Sequence, residues 1–113
     1  MNKLVYISGP ISAKTKKQQR KNLDRFFVIE DELSLFDLEI ANPARWEEKR
    51  QHTWEWYMNR DLSWIKENKP DMIFMMNGWR ESKGAIRELE LCIKLGIAVM
   101  FEDESVDNKD LLK

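Results

Sequence analysis

Residues 72–101, MIFMMNGWRESKGAIRELELCIKLGIAVMF, decide the fold. Met72 to Met76 is a short apolar run, preceded by Asp71 and stopped by Asn77-Gly78. That is the pattern of a buried strand ending in a turn. Ser82 to about Leu95 follows helical spacing, with Ser82 suited to the N-cap and Gly96 just past the end. Ile97 to Phe101 is a second apolar run. Strand, helix and strand in direct succession read as one β-α-β unit, and that unit sets its strands parallel.

The same grammar extends toward the N-terminus. Lys3 to Ser8 is apolar and β-branched, and Gly9-Pro10 ends it, which predicts a buried strand and a turn. Thr15 to about Phe36 contains no Gly or Pro, and Leu23, Phe26, Phe27, Glu30 and Leu33 follow helical spacing. Leu38 to Ala41 is a short strand stopped by Asn42-Pro43. Ala44 to Thr53 is charged and irregular, so a loop is expected there, with a helical turn as the alternative within it. Trp54 to Asn68 reads as a helix closed by Lys69-Pro70. Strands alternating with helices predict an α/β fold. The expectation is a small flavodoxin- or Rossmann-like three-layer sandwich, with a parallel sheet of about four strands in the order 2-1-3-4. Residues 1–102 would form this domain and 103–113 a polar tail.

In such sheets the ligand crevice lies beyond the carboxyl ends of the strands, where the strand order reverses. That rule places Ser8-Gly9-Pro10-Ile11-Ser12 and Asn77-Gly78-Trp79 at the crevice. Both segments carry a glycine, as expected where backbone approaches a ligand closely.

Composition narrows the function. Nineteen Lys+Arg against twenty Asp+Glu give a formal net charge of -1, which makes no strong case for nucleic acid. The one basic cluster is Lys14, Lys16, Lys17, Arg20 and Lys21. The lone cysteine, Cys92, allows neither an intrachain disulfide nor a cysteine-rich zinc site, and it suits a reducing cytoplasm. No apolar run approaches the ~20 residues that span a bilayer, and no signal peptide is visible. The single histidine, His52, lies in a charged stretch and reads as solvated; no metal or cofactor is implied. Trp46, Trp54, Trp56, Trp64 and Trp79 have two readings: fillers of a small core, or walls of a flat-ligand pocket or dimer interface.

Two carboxylates sit where surface charges do not belong. At about 100° per residue, Ala85, Ile86, Leu89, Cys92 and Ile93 share one face of the last helix, and Glu88 falls at its edge. On the preceding helix Asp61 lies inside an apolar arc, between Met58 and Ile65, whereas Arg60 falls on the polar side and Trp56 among polar residues. A carboxylate facing a core must be paired or hydrogen-bonded, and its pKa tends to rise. Glu88 and Asp61 are therefore an acid/base candidate pair. The alternative is structural: each pairs with an arginine such as Arg45 or Arg80, or caps a helix. Ser82 likewise is either an N-cap alone or, with Lys83-Gly84, part of an anion site. Neither glycine-containing turn has the full pattern of an ATPase or dinucleotide dehydrogenase.

Val5-Tyr6-Ile7-Ser8-Gly9-Pro10-Ile11, Asn42-Pro43-Ala44, Tyr57-Met58 with Asp61-Leu62, and Gly78-Trp79 with Ser82, Gly84-Ala85 and Glu88 resemble the nucleoside 2-deoxyribosyltransferase-like superfamily. In pattern they are similar above all to its small, often phage-encoded domains. The resemblance runs from Leu4 to about Phe101. It implies a deoxyribosyltransferase or a 2′-deoxynucleoside 5′-monophosphate N-glycosidase. In those relatives a helix glutamate attacks the anomeric carbon, and Glu88 aligns with it. Asp61-Leu62-Ser63-Trp64 aligns with a motif whose aspartate works near base and sugar. Ser82 aligns with a phosphate-binding serine, and Tyr6 with an active-site tyrosine. The glycosidases carry a phosphate-contacting arginine in the first loop, where this chain has Ser12, with Lys14 nearby.

The expected ligand is a small-molecule nucleoside or nucleotide. Glu88, ionised, would be the nucleophile, and Asp61 would protonate or hold the departing base. Gly9, Pro10, Ser12, Asn77, Gly78, Ser82 and Gly84 would line the site, with Trp79 or Tyr6 stacking on the base. The resemblance further implies a homodimer. Two other readings stand beside this one: a module that binds a nucleotide-like metabolite without turning it over, and an interaction protein with Trp46, Trp54 and Trp56 as its partner surface.

Overall fold

Each apolar run becomes a strand: β1 Lys3–Ser8, β2 Leu38–Ala41, β3 Met72–Met75 and β4 Ala98–Phe101. The structure is a computed structural model and describes residues 2–46 and 50–102. The expected polar tail, 103–113, and part of the expected loop, 47–49, lie outside the described residues. All four strands are parallel, in the order β2-β1-β3-β4. β1 is central, and its Tyr6 pairs with Ala41 on one side and Ile73 on the other. The helices are α1 Lys16–Leu33, α2 Trp54–Asn68 and α3 Lys83–Lys94, with 3₁₀ turns at Pro43–Arg45 and Trp79–Glu81. This is the α/β sandwich that the alternation predicts.

Successive strand residues point to opposite faces, and the core divides accordingly. Val5, Ile7, Phe74 and Met76 pack with Phe26 and Ile29 of α1. Tyr6, Ile73, Met75 and Phe101 pack with Ile65 of α2 and with Ala85 and Cys92 of α3. Two helices therefore cover one face and α1 the other. The strand starts are tied as well: the Leu4 N–H donates to Asp71 Oδ2 at 2.7 Å, and the Asp71 N–H returns to the Leu4 carbonyl at 2.8 Å.

The helix starts follow local chemistry. Thr15, Thr53 and Ser82 each accept a backbone N–H two or three residues into their helix, from Gln18, Trp56 and Ala85. Some boundaries differ from expectation. α1 stops at Leu33 instead of near Phe36, because the Ser34 hydroxyl donates to the Asp31 carbonyl and the Phe36 N–H turns back to Leu33. Leu35 and Phe36 are left exposed. β4 starts one residue late because the Ile97 N–H is used by the Cys92 carbonyl. Ile93, read as part of the apolar face of α3, is 62% exposed. The buried line is Ala85, Glu88 and Cys92, and Ile93 turns about 100° away from its last member. Among the described residues no helix is long and apolar enough to cross a membrane.

The turn after β1 is closely packed. A Cβ at Gly9 would sit 2.8 Å from Met76 Cβ, an atom fixed to the backbone. Gly9→Ala is predicted to destabilise the fold by about 1–3 kcal/mol, read as a lower midpoint in urea unfolding.

Candidate active site

A cleft of about 970 Å³ opens at the carboxyl end of the sheet, within the size range of small-molecule sites. The loop after β1 contributes Gly9, Pro10 and Ser12, and the segment after β2 contributes Pro43, Ala44 and Trp46. The approach to α2 and its first turns supply His52, Tyr57, Arg60 and Asp61. The start of α3 supplies Ser82, Lys83, Gly84 and Glu88. Asp61 and Glu88 are both buried, at 8% and 5% exposure. The two carboxyl groups singled out from the helical wheels thus share one cleft.

Glu88 is held from β1. Its Oε2 accepts the Tyr6 hydroxyl at 2.5 Å and its Oε1 accepts the Ser8 hydroxyl at 2.6 Å. The two-residue period of the strand sends both side chains to the face that α3 covers. Burial pushes the Glu88 carboxyl up to about 8, and the charge of Asp61 adds to this; the two hydroxyl donors and Arg60 act the other way. Desolvation thus works against the ionised Glu88 that the resemblance implies, whereas its two hydroxyl donors favour it.

Asp61 has the cationic partner. Arg60 Nε donates to its Oδ1 at 2.9 Å. Burial raises the Asp61 carboxyl too, against the charge and hydrogen bond of Arg60. Neither Arg45 nor Arg80, the partners suggested by sequence, plays this role. Arg45 is paired with Glu30 and lies over the Phe27 ring, and Arg80 lies over Trp79.

Tyr6 is fully buried, and its ring stacks on Trp64 with centroids 5.6 Å apart. That face is occupied by protein, so the expected stacking surface of Tyr6 is covered, and its hydroxyl is turned to Glu88. Burial, then the charges of Glu88 and Asp61, push its hydroxyl well above the usual phenol range. Of the other residues expected at the site, Gly9, Pro10, Ser12, Ser82 and Gly84 line the cleft. The Ser82 oxygen caps α3 by accepting the Ala85 N–H at 3.2 Å. A Cβ at Gly84 would stand 3.2 Å from Met58 Sδ, so this glycine lets α2 and α3 approach.

Asn77, Gly78 and Trp79 stand outside the cleft wall. The Asn77 N–H donates to Glu102 and its carbonyl accepts from Arg25. Gly78 adopts a left-handed φ of 90° and backs Pro10. Trp79 packs inward on Phe101, with centroids 5.3 Å apart. Three participants were not legible beforehand: Ser8 as a donor to Glu88, Arg60 as the partner of Asp61, and the Trp46–Trp64–Tyr6 ring cluster. Strand alternation marks Ser8, two residues from Tyr6. Nothing in the wheel marks Arg60.

Residues 3–101 match the model of a family described as Domain of unknown function (DUF4406). The chain belongs to the DUF4406 family. No curated protein matches it. The DUF4406 match spans all four strands and both buried carboxyl groups.

The raised Glu88 carboxyl has a stability consequence for this DUF4406 domain. Its folded-state value lies above the unfolded one, so the folded state binds the extra proton. The contribution of Glu88 to stability is therefore complete below about 4.5 and is lost as pH rises toward about 8. Glu88→Gln is predicted to gain stability over wild type across that window. The gain grows by at most about 1.4 kcal/mol per pH unit and levels off above it, as read by denaturant unfolding at a series of pH values.

Proposed function

We propose that this protein cleaves the N-glycosidic bond of a nucleoside or nucleotide through a covalent glycosyl–Glu88 intermediate. The observation that carries this reading is the pair of buried carboxyl groups, Asp61 and Glu88, brought into one cleft from two helices. Cleavage builds oxocarbenium character at the sugar, and two carboxyl groups in different protonation states serve that chemistry. The resemblance of the Asp61 and Glu88 motifs to nucleoside 2-deoxyribosyltransferase-like enzymes supports the same assignment.

In the open cleft burial favours a proton on Glu88. In the reacting complex that proton resides on Asp61, and Glu88 is the carboxylate. The C1′–N bond then breaks, a Glu88 oxygen bonds to C1′, and the base leaves with the Asp61 proton. Water or a second base then attacks C1′, the C1′–Glu88 bond breaks to release the Glu88 carboxylate, and Asp61 takes the proton lost by the attacking group, giving hydrolysis or transfer. Ser8 and Tyr6 orient the nucleophile through their hydroxyl groups. We further propose a homodimer that works in the cytoplasm.

A second reading keeps the ligand and drops the reaction. Both Glu88 oxygens already accept hydrogen bonds within the protein, an arrangement that also suits a binding module.

The test is a panel of nucleosides and nucleotides analysed for free base by mass spectrometry. Wild type is predicted to release base from at least one of them. Glu88→Gln should abolish release and keep ligand affinity, and Asp61→Asn should slow it by about 10²–10⁴-fold. Absence of base release from every compound, with affinity retained, would favour the binding module. For a substrate that is turned over, kcat/KM is predicted to be bell-shaped in pH. Its alkaline limb lies near 8, where the pair loses its proton.

A further inference from the structure

Arg60 and Asp61 are neighbours on α2, and neighbouring helical side chains project about 100° apart. Their ion pair forms only because Arg60 folds back. Its Nη1 donates to the Trp46 carbonyl at 3.0 Å while Nε reaches Asp61. Its guanidinium carbon lies 5.3 Å from the Trp46 ring centre, 5.2 Å from Tyr57 and 5.9 Å from Trp56. Arginine over aromatic faces is attracted by the ring quadrupole, and the side chain is only 20% exposed. The fork is thus held in one place by a carbonyl and three rings. Glu88, by contrast, receives neutral donors only among the described residues.

We infer that Arg60 is a positioning residue that decides where the acid pair keeps its proton: it fixes Asp61 as the carboxylate and leaves the proton on Glu88. Few charged or titratable groups face the pair, and burial of Glu88 acts against the hydroxyl donors that favour its carboxylate. Arg60 stands against Asp61 from α2 and Tyr6 adds a hydroxyl from β1, while Cys92 lies buried one turn past Glu88 on α3. Farther out on the cleft wall stand Glu55, Glu81 and Lys83, with His52 stacked on Trp56 at 3.7 Å between ring centres. None of these supplies Glu88 with a direct cation. For turnover, which rests on the proposed function, substrate binding must overcome the hold of Arg60 on Asp61 before Glu88 can attack.

The test uses ligand-free, carboxyl-¹³C-labelled protein followed by NMR through a pH titration, with Asp61→Asn and Glu88→Gln to assign the signals. In wild type Asp61 should ionise first and Glu88 last. In Arg60→Met the Asp61 midpoint should rise by about one to two pH units, the size of a lost charge-assisted hydrogen bond. Arg60→Lys keeps the charge and loses the planar fork, so its shift should be smaller and in the same direction. Glu88 ionising before Asp61 in wild type would overturn the inference, and so would an unmoved Asp61 midpoint in a folded Arg60 variant. If Arg60→Met does not fold, the wild-type order and Arg60→Lys decide. No nucleoside is present, so the outcome is independent of whether the protein releases a base.

Discussion

The hydrogen bonds from Tyr6 and Ser8 to Glu88 tie the sheet to the helix that covers it. A carboxyl group buried without partners would cost several kcal/mol. Here the central strand supplies two hydroxyl groups, one to each oxygen. The constraint reaches outward from that point. β1 must be central and parallel so that its carboxyl end opens beside the start of α3. Ser82 must cap α3 at that end, which aims Glu88 down at the strand. Gly84 must lack a side chain so that α2 comes close enough to bring Asp61 into the same cleft. Fold and candidate site thus share one set of contacts.

Asp61 and Glu88 are the same chemical group in unequal surroundings. One has a guanidinium held by rings and a carbonyl. The other has two hydroxyl groups and deeper burial. Unequal surroundings separate the protonation states of paired carboxyl groups, and ligand binding has to reverse their order for Glu88 to act as a nucleophile. The ring cluster of Tyr6, Trp46 and Trp64 takes part in this, because it buries the Tyr6 ring while Trp46 also lies under Arg60.

Much of this was legible in the residues. The apolar runs and their Gly-Pro and Asn-Gly stops mark the strands, and their alternation with helices implies the parallel order. The wheels of α2 and α3 isolate Asp61 and Glu88. The crevice rule, however, locates loops and leaves side-chain direction open. Asn77, Gly78 and Trp79 follow a strand end, yet their bonds and packing go to Glu102, Arg25, Pro10 and Phe101 instead of the cleft. Arg60 escapes the wheel because its position is set by tertiary partners on Trp46 and Tyr57. Ile93 errs the other way, since a wheel draws a broad apolar face whereas the sheet buries only a narrow line of α3.

Acid quenching of wild type during turnover, followed by peptide mass mapping, reads out the covalent glycosyl–Glu88 intermediate itself. A sugar-sized mass increase is expected on the peptide that contains Glu88, absent in Glu88→Gln. An adduct on a different residue, or base release by Glu88→Gln at the wild-type rate, would contradict it.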